Sequence, residues 1–134
     1  MLITVLAVGR LRAPFADDVE HYAKLLSRHA RLELVEVRED DAVARRLPDR
    51  AFTCLLDSAG KSFESVAFSR WLEDRRASGR DLCFVIGGPQ GLDMAADLSL
   101  SLGPLTLPHQ LARVVLLEQL FRAHKILAGE PYHY

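Results

Sequence analysis

The chain has 134 residues, 49% of them hydrophobic, with 17 Lys+Arg against 18 Asp+Glu and a formal net charge of -1. That length suits one domain, which buries about two-thirds of the surface its unfolded form exposes and so needs no staples. The charge balance excludes nucleic-acid binding by global charge, so any RNA partner must be gripped by a local basic face.

Leu2-Ile3-Thr4-Val5-Leu6-Ala7-Val8 is near-continuously apolar and closes at Gly9, the pattern of a central strand covered on both faces. It is too short for a membrane span. With Arg10 and Arg12 behind it and no basic region ahead, it is no signal peptide either. From Pro14 to His29, Phe15, Val19, Tyr22, Leu25 and Leu26 fall at helical spacing, with Pro14 suited to a first turn. Leu32, Leu34, Val35 and Val37 mark a second strand, made more polar by Glu33, Glu36 and Arg38 and therefore placed nearer an edge. Glu39 to Pro48 reads as a short surface helix or loop.

Ala51-Phe52-Thr53-Cys54-Leu55-Leu56-Asp57 is a third strand, ended by Ser58-Ala59-Gly60. Phe63 to Ser78 follows as an amphipathic helix with Phe63, Val66, Ala67, Trp71 and Leu72 inward, and Gly79 ends it. Leu82-Cys83-Phe84-Val85-Ile86 is a fourth, buried strand running into Gly87-Gly88-Pro89-Gln90-Gly91. Leu98-Ser99-Leu100-Ser101-Leu102 alternates as a strand with one buried face and breaks at Gly103-Pro104. A long apolar helix spans about Gln110 to Ala128 and stops at Gly129. Strands alternating with helices predict a parallel α/β sheet with helices on both faces, in one compact unit.

Two strand ends thus deliver two Gly/Pro loops just ahead of one helix, the arrangement in which open α/β sheets bind ligands. Neither loop carries a charge, which suits an adenosine-like group held by backbone groups and apolar contact better than a polyphosphate. Gly87-Gly88-Pro89-Gln90-Gly91 is not the dinucleotide fingerprint, because its second glycine comes one place early and Pro89 removes an amide donor. Gly60-Lys61-Ser62 imitates the tail of a P-loop, but Leu55 stands where that motif needs glycine. Cys54 and Cys83 lie inside apolar strands without CxxC spacing or a His/Cys cluster, so they read as thiols of a reducing cytosol, and no metal is expected.

His109 opens the last helix, where the macrodipole disfavours its protonated form, and Arg113 stands one turn on. A buried-stem arginine covering the sheet is the competing reading of Arg113. The apolar residues of this helix wrap past the third of its circumference that a surface helix needs, which points to a dimer face as well as a core. The aromatic tail Pro131-Tyr132-His133-Tyr134 is placed over a site or a partner subunit.

The runs Ile86-Gly87-Gly88-Pro89-Gln90-Gly91 and Leu105-Thr106-Leu107-Pro108-His109-Gln110-Leu111-Ala112-Arg113-Val114-Val115-Leu116, then Glu118-Gln119, Arg122-Ala123 and Gly129-Glu130-Pro131-Tyr132-His133, resemble the RlmH family of SPOUT methyltransferases. The likeness extends to Val8-Gly9, Leu56-Asp57 and Gly60-Lys61. It implies a SPOUT-type parallel sheet with a C-terminal trefoil knot, a homodimer, and S-adenosylmethionine-dependent methylation of N3 of a pseudouridine in 23S rRNA of the assembled ribosome. The cofactor contacts it implies are Leu56, Gly88, Gly103, Pro104, Leu105, Thr106, Leu107 and Pro108. This chain departs from the family in ending on Tyr134 instead of a basic residue, in the order Ser62-Phe63-Glu64-Ser65, and in being short around Glu39 to Pro48.

The chemistry expected on this basis is an in-line methyl transfer, with His109 as base or orienter and Arg113 or His133 supporting the developing anion. Arg10, Arg12, Arg113, Arg122 and Lys125 are the candidate RNA-facing cations, and Arg75, Arg76 and Arg80 form a solvated helix end. Two other readings stay open: a non-catalytic adenosine-ligand or ribosome-binding module of the same fold, and a nucleotide-binding protein using Gly60-Lys61-Ser62.

Overall fold

The structure, a computed structural model, describes residues 1–132. Its elements are β1 (Leu2–Val8), α1 (Phe15–Ser27), β2 (Arg31–Val37), a 3-10 turn (Asp40–Ala42) leading into α2 (Val43–Arg46), β3 (Phe52–Ser62), α3 (Ser65–Ser78), β4 (Leu82–Ile86), β5 (Leu98–Ser101) and α4 (His109–Leu127). The five strands form one sheet in the order β2-β1-β4-β3-β5, parallel at every pairing. The apolar strands β1 and β4 are interior and the polar β2 is an edge, as their patterns require. Among the described residues, no helix is long and apolar enough to cross a membrane.

The two faces of the sheet are covered unequally. One packs Ile3, Val5, Ala7, Cys54, Leu82, Phe84 and Ile86 against Val19 and Leu26 of α1, Phe68 and Leu72 of α3, and Leu116, Leu117 and Leu120 of α4. The other face, with Leu6, Val8, Val35, Val37, Leu55, Cys83 and Val85, packs with Ala51, Val43, the adjoining Ala42 and Leu47, and the irregular chain carrying Leu92, Met94 and Ala96. The expectation of helices on both faces holds on the second face only as this short turn. The stretch Glu39 to Pro48 has too few apolar residues to build a covering helix.

Helix α4 runs along α1 and α3, with Leu116, Leu117 and Leu120 at 0%, 1% and 0% exposure. Burial of that order stabilises by about 2 kcal/mol per side chain. Much of the wrap of its apolar residues is therefore used inside the protomer. In α3 the inward residues are Phe68, Ser69 and Leu72, with Trp71 stacked on Phe68 at 5.5 Å, whereas Val66 is 39% exposed. The inward face is set by this aromatic stack, and Val66 and Ala67, expected inside, fall on the solvent side.

Strand β3 runs beyond the turn expected at Ser58-Ala59-Gly60. Its pairing with β5 reaches Leu56↔Leu100 and resumes at Lys61↔Leu100, so residues 57–60 bulge out between two points of contact with one partner. Ser101 pins the bulge: its hydroxyl lies 3.1 Å from the Ser58 carbonyl and 2.8 Å from that of Gly103, and accepts the Gly103 N–H at 3.1 Å. Gly60 is demanded by contact, since a Cβ there would stand 2.5 Å from the Ser99 carbonyl oxygen. The Gly60-Lys61-Ser62 triplet thus lies in a strand, with the Lys61 ammonium 4.9 Å over the Phe63 ring.

Gly60→Ala should destabilise the chain by about 2 kcal/mol, the usual cost of forcing extra volume into a tight contact. Chemical denaturation measures it, and Gly91→Ala, at a position with open space around it but a φ of +78°, should cost less.

Candidate functional site

The carboxyl ends of β4, β3 and β5 open into a cavity of about 1020 Å3. One wall is the loop after β4, residues 87–93, and the other is the segment from Leu102 through the start of α4. The two loops do not follow adjacent strands: β3 lies between β4 and β5 and sends Leu56, Asp57 and Ser58 into the floor. Gly87 makes the first wall possible, because a Cβ there would stand 2.8 Å from the Leu92 side chain where the loop folds back on itself.

Of the residues expected to hold a cofactor, Leu56, Gly88, Gly103, Leu105, Thr106, Leu107 and Pro108 all line the cavity, and Pro104 does not. Asp57, Ser58, Asp40 and Asp93 also line it, and sequence reasoning missed them. The sequence puts Asp57 at a strand end and Ser58 in the turn after it, and the β3 bulge turns both toward the cavity. The Asp57 carboxylate accepts the Ala59 N–H at 2.9 Å, which holds the bulge in shape.

His109 lines the cavity as the first residue of α4. Partial burial, with the charges of Arg113 and Arg12 nearby, lowers its pKa below the ordinary 6.5, so it is a neutral acceptor at pH 7. The expectation of a neutral imidazole rested on the macrodipole alone, and the structure adds desolvation and two arginines.

Arg113 is 5% exposed and does not line the cavity. Its guanidinium donates to Glu36 Oε2 at 2.7 Å and to the carbonyls of Gly9 and Val8 at 2.7 and 3.2 Å. Glu36 also accepts the Leu11 N–H at 2.7 Å. These contacts join α4 to the ends of β1 and β2, and they remove Arg113 from the RNA-facing set. Neighbouring Gln110, also 5% exposed, bonds the backbone of Arg10 and Arg12. A glutamine in an apolar helix carries no signal of such a partner.

Two of the other candidate cations are also engaged. Arg122 pairs with Glu118 at 2.8 Å and donates to the Tyr132 carbonyl at 3.3 Å, and Lys125 pairs with Glu130. Tyr132 packs edge-on against Phe121 with ring centroids 4.9 Å apart, so this part of the tail returns to its own α4. Phe121 lies about 18 Å along the axis from His109 at helical rise. His133 and Tyr134, for which site roles were expected, lie outside the described residues. Cys54 and Cys83 are buried free thiols, and burial raises the pKa of Cys83 to about 11.

Arg113→Met should destabilise the chain by about 3 kcal/mol in chemical denaturation, because it removes charge-assisted bonds to three buried or half-buried acceptors. Glu36→Gln, at a side chain 43% exposed, should cost about 1 kcal/mol or less.

Residues 1–133 match the family described as "Predicted SPOUT methyltransferase". The chain is 44% identical over 146 residues to the ribosomal RNA large subunit methyltransferase H of Gluconacetobacter diazotrophicus, covering 96% of this chain and 95% of that one. It is 45% identical over 148 residues to the protein of that name from Acidiphilium cryptum, with 98% and 92% covered. For the one from Acetivibrio thermocellus the figure is 39% over 158 residues, with 99% of each covered.

Proposed function

The chain belongs to the SPOUT methyltransferase family, and from that premise we propose that it methylates N3 of a pseudouridine in 23S rRNA of the assembled ribosome, using S-adenosylmethionine. The observation that carries this reading is the cavity at the ends of β4, β3 and β5, rimmed by two Gly/Pro loops without lysine or arginine and with His109 at its edge. Its volume, about 1020 Å3, is ample for a nucleoside-sized ligand. Leu56, Ile86, Leu100, Leu102 and Leu107 supply apolar contact for a purine. We assign the cofactor to Leu56, Gly88 and the run Gly103, Pro104, Leu105, Thr106, Leu107 and Pro108. The same reading takes residues 1–134 as one catalytic domain with the family's trefoil knot, working in the cytoplasm.

S-adenosylmethionine would supply a methyl group on a positively charged sulfur, and a lining that holds Asp40, Asp57 and Asp93 but no lysine or arginine suits a cation. The chain's own task is positioning, to hold the imide nitrogen in line with the methyl carbon and to assist loss of its proton. Neutral His109 is the group at the cavity that can accept that proton or orient the ring. Arg113 acts behind it by fixing the start of α4, and we keep His133 as a support for the developing anion. A homodimer fits the 79% exposure of Leu105 on the cavity rim, since a second copy would cover that leucine.

The deciding experiment is transfer of labelled methyl to assembled ribosomes from cells lacking this protein, with isolated ribosomal RNA as comparison. Label on large-subunit RNA only in the assembled particle is expected. No label while S-adenosylmethionine still binds would leave a binding module, and binding of ATP with magnesium in its place would move the function to Gly60-Lys61-Ser62. His109→Ala should lower turnover about 100-fold, the low end of general acid–base contributions. If His109→Ala and His133→Ala both turn over normally and bind cofactor, neither is a chemical group.

A pH profile tests the state of His109. Because burial and the neighbouring Arg113 and Arg12 lower its pKa, the unprotonated form persists below pH 6.5 and the acid limb of turnover lies below that value. Arg12→Ala removes a positive charge and should move the limb upward, toward 6.5.

A further inference from the structure

Among the cations available for RNA, Arg10 and Arg12 are set apart by what lies beneath them. Both are exposed, and neither forms an ion pair among the described residues. Their backbone, by contrast, is tied at each residue from Gly9 to Arg12. The Gly9 N–H donates to the Val37 carbonyl at 2.8 Å, and the Gly9 carbonyl accepts from Arg113 at 2.7 Å. The Arg10 carbonyl accepts from Gln110 Nε2 at 2.7 Å, the Leu11 N–H donates to Glu36 at 2.7 Å, and the Arg12 N–H donates to Gln110 Oε1 at 2.9 Å.

Gln110 is the part of this arrangement that helix formation does not require. Its amide is buried, and it directs a donor and an acceptor at two residues of one exposed loop. Water would satisfy the same backbone groups in a loop whose shape did not matter. The side chain that follows His109 in the chain therefore couples the cavity wall to the loop. The loop is also next to that wall in space, since a Cβ built on Gly9 would lie 3.8 Å from His109 Nε2.

We propose that Gln110 is a positioning residue for RNA: it holds loop 9–12 so that Arg10 and Arg12 receive backbone phosphates of the ribosomal RNA strand beside the nucleotide entering the cavity. This rests on the rRNA methylation reading. Guanidiniums pair with phosphate oxygens through two parallel N–H bonds, so their orientation matters as well as their charge. Ordering the loop in the free protein removes part of the entropy cost of binding.

The test compares wild type, Gln110→Ala, and Arg10→Ala/Arg12→Ala by methyl transfer and by co-sedimentation with assembled ribosomes over a range of salt. With Gln110→Ala, KM for ribosomes should rise about 10-fold while S-adenosylmethionine affinity stays and kcat falls less than threefold. Its salt slope should remain that of wild type, because both charges are still present. The double variant should lose as much affinity or more and flatten the slope by roughly 1.4, about 0.7 for each single-strand phosphate contact. Gln110→Glu keeps the acceptor for Arg12 and loses the donor to Arg10, and should fall between wild type and Gln110→Ala.

An unchanged KM in Gln110→Ala while the double variant loses affinity overturns the role of Gln110. An unchanged slope in the double variant overturns the phosphate contacts. Equal losses in ribosome binding, cofactor binding and thermal stability in Gln110→Ala would make it a folding residue only. If wild type transfers no methyl, the methylation reading fails by itself. The co-sedimentation arm then still decides whether Gln110 and the two arginines bind the particle.

Discussion

A guanidinium taken out of water has to find partners, and the partners of Arg113 hold the site together. Its bonds to Glu36, Val8 and Gly9 tie the first turns of α4 to the carboxyl ends of β1 and β2, the strands at the far side of the sheet from β5. His109 sits one turn before it. The position of the imidazole is thus set by a helix braced against the sheet at one side of the cavity, while the loops after β4 and β5 close the other sides. Removing the brace leaves either an uncompensated carboxylate or bare carbonyls in a crowded place, which is why a residue outside the cavity bears on what happens inside it.

The unequal cover of the two faces has a functional side. Three helices stack on one face and make the core, and the other is closed by the turn at Asp40–Ala42, α2 and irregular chain. That irregular chain is the continuation of the glycine loop that walls the cavity. The same residues therefore act as lid for a secondary core and as wall for the site, through Leu92 in both. Ser101 plays a similar double part on the opposite side, as a member of β5 and as the tie between the β3 bulge and Gly103.

What was legible in the sequence is what local chemistry decides. Continuous apolar runs revealed β1 and β4, the interleaved charges of β2 marked an edge, and two uncharged Gly/Pro loops marked a cavity that the structure closes around. What was hidden depends on contacts far apart in the chain. Gly60 reads as a turn until Ser99 is seen against it, and α3 has two apolar faces between which only the aromatic stack chooses. Arg113 admitted two readings because a lone charge in an apolar helix can cap a site or fasten a core. Gln110 and Glu36 gave no sign, since a buried amide and a solvated carboxylate look alike when their partners lie up to 100 positions away.

The insertion of β3 between β4 and β5 sets the gauge of the cavity. Its two walls spring from strands two ladder spacings apart, roughly 9.5 Å at the usual separation of paired strands. That distance belongs to backbone hydrogen bonds and hardly responds to side-chain identity. Substitutions around the rim can therefore alter the grip and the chemical taste of the slot while the slab of molecule it admits keeps the same thickness. In such a scaffold, selectivity can drift by single side chains, and only a rearrangement of strand order would change the size class of ligand.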